Sequence, residues 1–115
     1  MKICREFYFD AAHHLPDYKG KCEDVHGHTY KLEVVVKGRA GKNGMVLDFE
    51  KIKRVVNENI IEKLDHKDLN KIFKNPTAEN IAQWIFNELK GKVNVSSVKL
   101  WEGWGKWVEV EERSA

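Results

Sequence analysis

His26-Gly27-His28-Thr29-Tyr30-Lys31-Leu32-Glu33-Val34-Val35-Val36-Lys37 sets the reading of the fold. His28, Tyr30, Leu32, Val34 and Val36 share one phase, and Lys31, Glu33 and Lys37 take the other. Such a period of two predicts a strand, here His26 to Gly38, with one buried face. His26 and His28 are two apart, so both rings are expected on the same face.

Toward the N-terminus, residues 2 to 13 alternate in the same way. Ile3, Phe7, Phe9, Ala11 and His13 fall in one phase, and Glu6, Tyr8, Asp10 and His14 in the other. A half-buried strand follows, and it separates the adjacent histidines: His13 goes with the apolar face and His14 away from it. Pro16 then ends the pairing, and Leu15 to Glu23 reads as a loop.

Toward the C-terminus, the glycine-rich run 38–44 is a connection. Asp48 predicts an N-cap for a helix over Phe49 to Leu64, with Phe49, Ile52, Val56, Ile60 and Leu64 as one apolar stripe. The helix is expected to end at Asp65-His66. Thr77 caps a second helix whose buried stripe is Ala78, Ile81, Ala82, Ile85 and Leu89, and Gly91 stops it. Val95–Glu102 and Lys106–Glu112 read as a hairpin around Gly103-Trp104-Gly105. The fold class is therefore α+β. A four-stranded antiparallel sheet carries two helices on one face, in the order ββααββ, with residues 1–115 as a single domain.

Twenty basic and eighteen acidic side chains are interspersed along the chain, so neither a nucleic-acid stripe nor a polybasic membrane patch is indicated. No apolar run is long enough for a membrane span, and the first residues do not read as a signal peptide. A cytoplasmic location is expected. In that setting Cys4 and Cys22 are read as free thiols. Cys4 sits within a strand and reads as a small buried hydrophobe, whereas Cys22 lies in a polar segment beside histidines.

The chemistry-bearing residues concentrate between His13 and His28. Two imidazoles in a His-x-His pair can reach one ion, and His13 supplies a third nitrogen. Three protein ligands leave a zinc position open for water or substrate. The bland alternative is a chance His-x-His at a solvated strand end. Cys22 is open between a fourth ligand, a thiolate acting as base or nucleophile, and a loop residue with no role. Asp65-His66 is a surface pair or a proton relay. Glu102, in phase with Val98 and Leu100, is a strand-end carboxylate or an anchor for a ligand with amidine-like N–H donors. Thr77 reads first as a helix cap.

Taken in order, Phe9-Asp10-Ala11-Ala12-His13, Cys22-x-x-x-His26-Gly27-His28, Gly44-Met45-Val46-Leu47-Asp48-Phe49, Leu64-Asp65-His66, Leu69-Asn70, Pro76-Thr77-Ala78-Glu79-Asn80 and Glu102 resemble the 6-pyruvoyltetrahydropterin synthase family. Within it they are most similar to the 6-carboxytetrahydropterin synthases, which also place three residues between the cysteine and the first histidine of His-Gly-His. The resemblance implies the tunnelling fold and a homo-oligomer, a homohexamer built as a dimer of trimers, with active sites between subunits. It implies zinc on His13, His26 and His28, and a catalytic set of Cys22, Asp65 and His66. Glu102 and Thr77 would bind the pterin. The implied reaction converts 7,8-dihydroneopterin triphosphate to 6-carboxytetrahydropterin, releasing acetaldehyde and triphosphate, as a step toward 7-deazaguanines such as queuosine and archaeosine. A pyruvoyl synthase that only eliminates triphosphate is the nearest rival. A non-catalytic zinc- or pterin-binding module is the alternative of another class. The region after Glu102 departs from the family pattern in its tryptophan-rich hairpin.

Overall fold

The computed structural model describes residues 1–14 and 26–113, with His26 as backbone only. Cys22 and the loop expected over 15–23 lie outside the described residues. The two long alternating stretches form β1 (Lys2–His13) and β2 (His26–Lys37), paired antiparallel along their full length with Phe7 opposite Leu32 and Phe9 opposite Tyr30. β4 (Val95–Glu102) joins the other edge of β2, and β5 (Trp107–Glu111) follows it. Leu32 faces Leu100 and Val34 faces Val98, so three strands bury the same face.

Between β2 and β4 come α1 (Phe49–Val56), a π-helical turn (Asn57–Ile61), α2 (Glu62–Leu64), β3 (Lys67–Asp68), a 3-10 turn (Leu69–Lys71) and α3 (Ala78–Leu89). Asp48 caps α1 as expected, its carboxylate accepting the Glu50 N–H at 2.8 Å. The stripe Ile52, Val56, Ile60 and Leu64 is fully buried against the sheet. Its spacing is four residues throughout, which in an α-helix of 3.6 residues per turn drifts by about 40° at each step. The π turn takes an extra residue per turn and keeps Ile60 and Leu64 in line with Ile52 and Val56. Phe49 is not part of the buried stripe. It stands 49% exposed at the first helical position, where its carbonyl accepts the Arg5 guanidinium at 3.0 Å.

The expected four-stranded antiparallel sheet in ββααββ order is corrected to a mixed, five-stranded sheet in the order β3-β1-β2-β4-β5. β3 lies between the helices in the chain and runs parallel to β1, pairing Lys67 with Ala11 and Asp68 with Ala12. Two residues are too few to show alternation. The strand depends instead on His66, which takes a left-handed backbone (φ 59°) and donates its N–H to the Asp10 carbonyl at 2.6 Å. Ile81, Ala82, Ile85 and Leu89 of α3 complete the core, whereas Ala78, expected in that stripe, is only half-buried in the first helical position and Cys4, expected buried, is exposed. Among the described residues no helix is long and apolar enough to cross a membrane.

Candidate metal and ligand site

Strand register brings the first group together. Ala11 lies opposite His28 and His13 opposite His26 across β1–β2, while Tyr30 lies opposite Glu102 across β2–β4. On the core-facing side this sets His13 and His28 edge to face, ring centres 5.0 Å apart. His28 Nε2 is 3.6 Å from Glu102 Oε1. One potential ligand atom from each of His13, His28 and Glu102 lies within 4.8 Å of the others, and the three could hold a metal ion.

The His13 ring is oriented by its surroundings. Only 1% of the residue is exposed, and Nδ1 is 2.9 Å from the Pro76 carbonyl oxygen. A carbonyl can only accept, so Nδ1 carries the proton and Nε2 carries the lone pair. A backbone acceptor behind one ring nitrogen is the usual way a ligating histidine is held in place. The Tyr30 hydroxyl lies 3.4 Å from the same Nδ1, its ring stacked on Phe9 at 4.9 Å. Burial pushes the Tyr30 phenol well above its ordinary pKa, and the Glu102 carboxylate adds to that, so the hydroxyl stays protonated. The donor set of imidazole nitrogen and carboxylate oxygen suits zinc.

Asp65 and His66 form the second group, set where α2 ends and β3 begins. Asp65 Oδ1 accepts the Asp10 N–H at 3.0 Å and lies 3.1 Å from His66 Nδ1. The Asp10 N–H, with the His66 ring as a smaller contributor, holds the Asp65 carboxyl below its ordinary range against a counteracting effect of burial. The carboxylate is thus ionised near neutral pH and fixes the ring through Nδ1, while the His66 side chain is 77% exposed. A shallow groove of about 500 Å³ runs from Gly27, His28 and Thr29 over Asp10 and Ala12 to His66. Asp10, Ala12 and Thr29 put it on the sheet face opposite the His13–His28–Glu102 cluster. The Thr29 hydroxyl donates to Asp10 Oδ1 at 2.6 Å along that groove.

His13, His28, Glu102, Asp65 and His66 are therefore placed by the sheet and its flanking turn. The His26 backbone stands in register opposite His13, its side chain being outside the described residues together with Cys22. Thr77 acts as the cap read from sequence, its hydroxyl accepting the Asn80 N–H at 3.1 Å. Sequence reasoning gave no role to Pro76, Tyr30, Asp10 or Asn70. Asn70 clamps the end of β1: its carboxamide oxygen accepts the His14 N–H at 2.8 Å and its NH₂ donates to the His14 carbonyl at 3.0 Å. Leu69-Asn70 was visible as a motif, and only the fold shows what the amide holds.

A family model described as 6-pyruvoyl tetrahydropterin synthase matches residues 2–113. A protein of Archaeoglobus fulgidus assigned as a 6-carboxy-5,6,7,8-tetrahydropterin synthase is 48% identical over 103 residues, covering 89% of this chain and 88% of that one. A dihydroneopterin monophosphate aldolase of Pyrococcus furiosus is 47% identical over 107 residues, covering 90% of each. Among solved structures, the 6-pyruvoyl tetrahydropterin synthase of Caenorhabditis elegans superposes with a TM-score of 0.89 at 27% identity, over 98% of this chain and 96% of that one.

Proposed function

We propose, because the chain belongs to the 6-pyruvoyl tetrahydropterin synthase family, that it converts 7,8-dihydroneopterin triphosphate to 6-carboxytetrahydropterin with release of acetaldehyde and triphosphate. The chain is an enzyme of that family, a lyase. The observation that carries the finer reading is the convergence of His13, His28 and Glu102 at one end of the sheet, in a chain 48% identical to a protein assigned that activity. The three residues between Cys22 and His26 agree with the same branch.

His13 and His28, with His26, would hold zinc, His13 being preset by the Pro76 carbonyl. Bound there, zinc supplies Lewis acidity toward the oxygens of the substrate side chain. Glu102 offers a carboxylate to the paired N–H donors of the amino-pyrimidinone ring and so orients the side chain toward the histidines. Cys22 moves the proton on the side-chain carbon. His66, held through Nδ1 by the ionised Asp65, presents Nε2 for the second transfer. Thr77 closes the ring pocket while capping α3. The assembly proposed is a cytoplasmic homo-oligomer, a dimer of trimers with sites between subunits, whose product serves 7-deazaguanine synthesis.

A second reading has its own observation. The Pyrococcus furiosus relative is named an aldolase for the monophosphate, and the same donors could support carbon–carbon cleavage of that shorter ester. The test is to incubate zinc-loaded protein with dihydroneopterin triphosphate and identify the products, with a chelated control. Acetaldehyde with 6-carboxytetrahydropterin, lost on chelation, supports the proposal. A pyruvoyl product moves the chain to the other branch, and no turnover at full metal occupancy overturns the triphosphate reaction.

A further inference from the structure

On the sheet face turned away from the helices, Tyr8, Thr29, Lys31 and Trp101 join Gly103 and Trp104 of the β4–β5 turn around a recess of about 260 Å³. The Trp104 residue is 96% exposed and Tyr8 62% exposed. The backbone that carries Trp104 is nevertheless held in a defined turn. Gly103 and Gly105 both take the left-handed conformation, φ 72° and 76°. A Cβ on either would meet nothing within 4 Å, so glycine is required for conformation and not for space. The turn is tied down by Glu102 N–H to the Lys106 carbonyl at 3.0 Å and Gly103 N–H to the Thr29 carbonyl at 3.2 Å.

The other walls are already committed. Trp101 Nε1 donates to Glu33, and Lys31 lies over the Trp101 ring while pairing with Glu6 at 2.8 Å. The recess therefore offers aromatic faces and a cation whose charge is balanced. That chemistry favours a flat, neutral ring over a charged chain. Glu102 sits between Trp101 and Gly103 in sequence, but its carboxylate leaves the opposite face of the sheet toward His28. The recess and the metal-capable cluster are thus back to back across one strand layer.

We propose that this recess is a second ligand site, distinct from the His13–His28–Glu102 cluster, that takes a flat nitrogen-heteroaromatic ring stacked on Trp104 and edged by Tyr8 and Trp101. Pterins and purines share that chemistry. The choice of a pterin as the occupant rests on the function proposed above, whereas the stacking site itself does not.

The experiment titrates the intact chain with unsubstituted pterin, and separately with guanosine, following tryptophan emission. Saturable quenching by pterin is expected. Trp104→Ala should weaken it about tenfold, the scale of removing one stacking partner. Trp104→Phe should restore most of the loss, and in a Glu102→Gln background, where the anchor of the other site is lost, the Trp104-dependent quenching should remain. No saturable quenching overturns the site, as does quenching that survives Trp104→Ala and vanishes in Glu102→Gln. Tighter binding of guanosine than of pterin overturns the pterin assignment. A Trp104→Ala chain whose oligomeric mass changes while ring binding persists makes the recess an interface between copies and overturns the proposal. Turnover of dihydroneopterin triphosphate is scored separately, so the recess and the proposed reaction can each fail without the other.

Discussion

Replacing Asn70 by alanine should loosen the end of β1 that carries His13. The carboxamide satisfies both backbone groups of His14, one bond at 2.8 Å and one at 3.0 Å, in a half-buried setting. Its own position is set by the 3-10 turn, where the Asn70 N–H donates to Asp68 Oδ1 at 3.0 Å. Each such bond contributes about 0.5–1.5 kcal/mol net, so losing both costs about 1–3 kcal/mol. In a chain of this size each kcal/mol lowers Tm by about 3–6 °C. Because His13 is the residue before His14, weaker zinc binding should follow, by about tenfold, as when a supporting partner of a ligand is removed. Urea unfolding gives the stability and chelator competition gives the affinity. Asn70→Asp keeps an acceptor for the N–H but turns a carboxylate toward the His14 carbonyl, and should be no better than alanine. An Asn70→Ala chain within about 0.3 kcal/mol of the parent, a shift typical of an ordinary surface position, with unchanged zinc affinity, would refute the clamp.

Asp65→Asn tests the held carboxylate. Its pKa is lowered in the folded chain, so its stabilisation is present above the unfolded value of about 4 and is lost as pH falls through the lower folded value. The stability gap between parent and variant should therefore be full above the unfolded value and close as pH falls through the lower folded one, and a gap independent of pH in urea unfolding would contradict this. Glu102→Gln should keep zinc while lowering kcat/KM at least about tenfold, chiefly through KM, as expected for lost binding. Loss of zinc by that variant would make Glu102 a ligand in place of an anchor. Cys22→Ala should keep zinc and lose turnover, and metal loss there would make Cys22 structural.

What the sequence revealed of this molecule follows from the range of each signal. Alternation along β1 and β2, and the caps at Asp48 and Thr77, act over a few residues and can be read directly. β3 escaped because it is two residues long and hangs on the left-handed His66 and the Asp10 carbonyl, a contact across fifty-six positions of chain. The π turn escaped because it corrects a drift that appears only when four stripe residues must meet one sheet. The candidate site divides in the same way. His13, with its apolar phase, and His28, on the buried phase of β2, were legible along single strands. That Glu102 would stand 3.6 Å from His28 depends on which residue of β4 meets which of β2, and that register is decided by Leu32 and Val34 packing against Leu100 and Val98. The supporting groups, Pro76 and Asn70, act through backbone contacts that carry no sequence period.

The most direct measurement is a competition. Zinc-loaded protein receives dihydroneopterin triphosphate and dihydroneopterin monophosphate at equal concentration, and the two-carbon fragment and the phosphate species are identified over time. The predicted result is acetaldehyde and free triphosphate accumulating together with 6-carboxytetrahydropterin, while the monophosphate persists. Consumption of the monophosphate to a two-carbon aldehyde that still carries its phosphate, with the triphosphate untouched, would contradict the proposed reaction and establish the aldolase in its place.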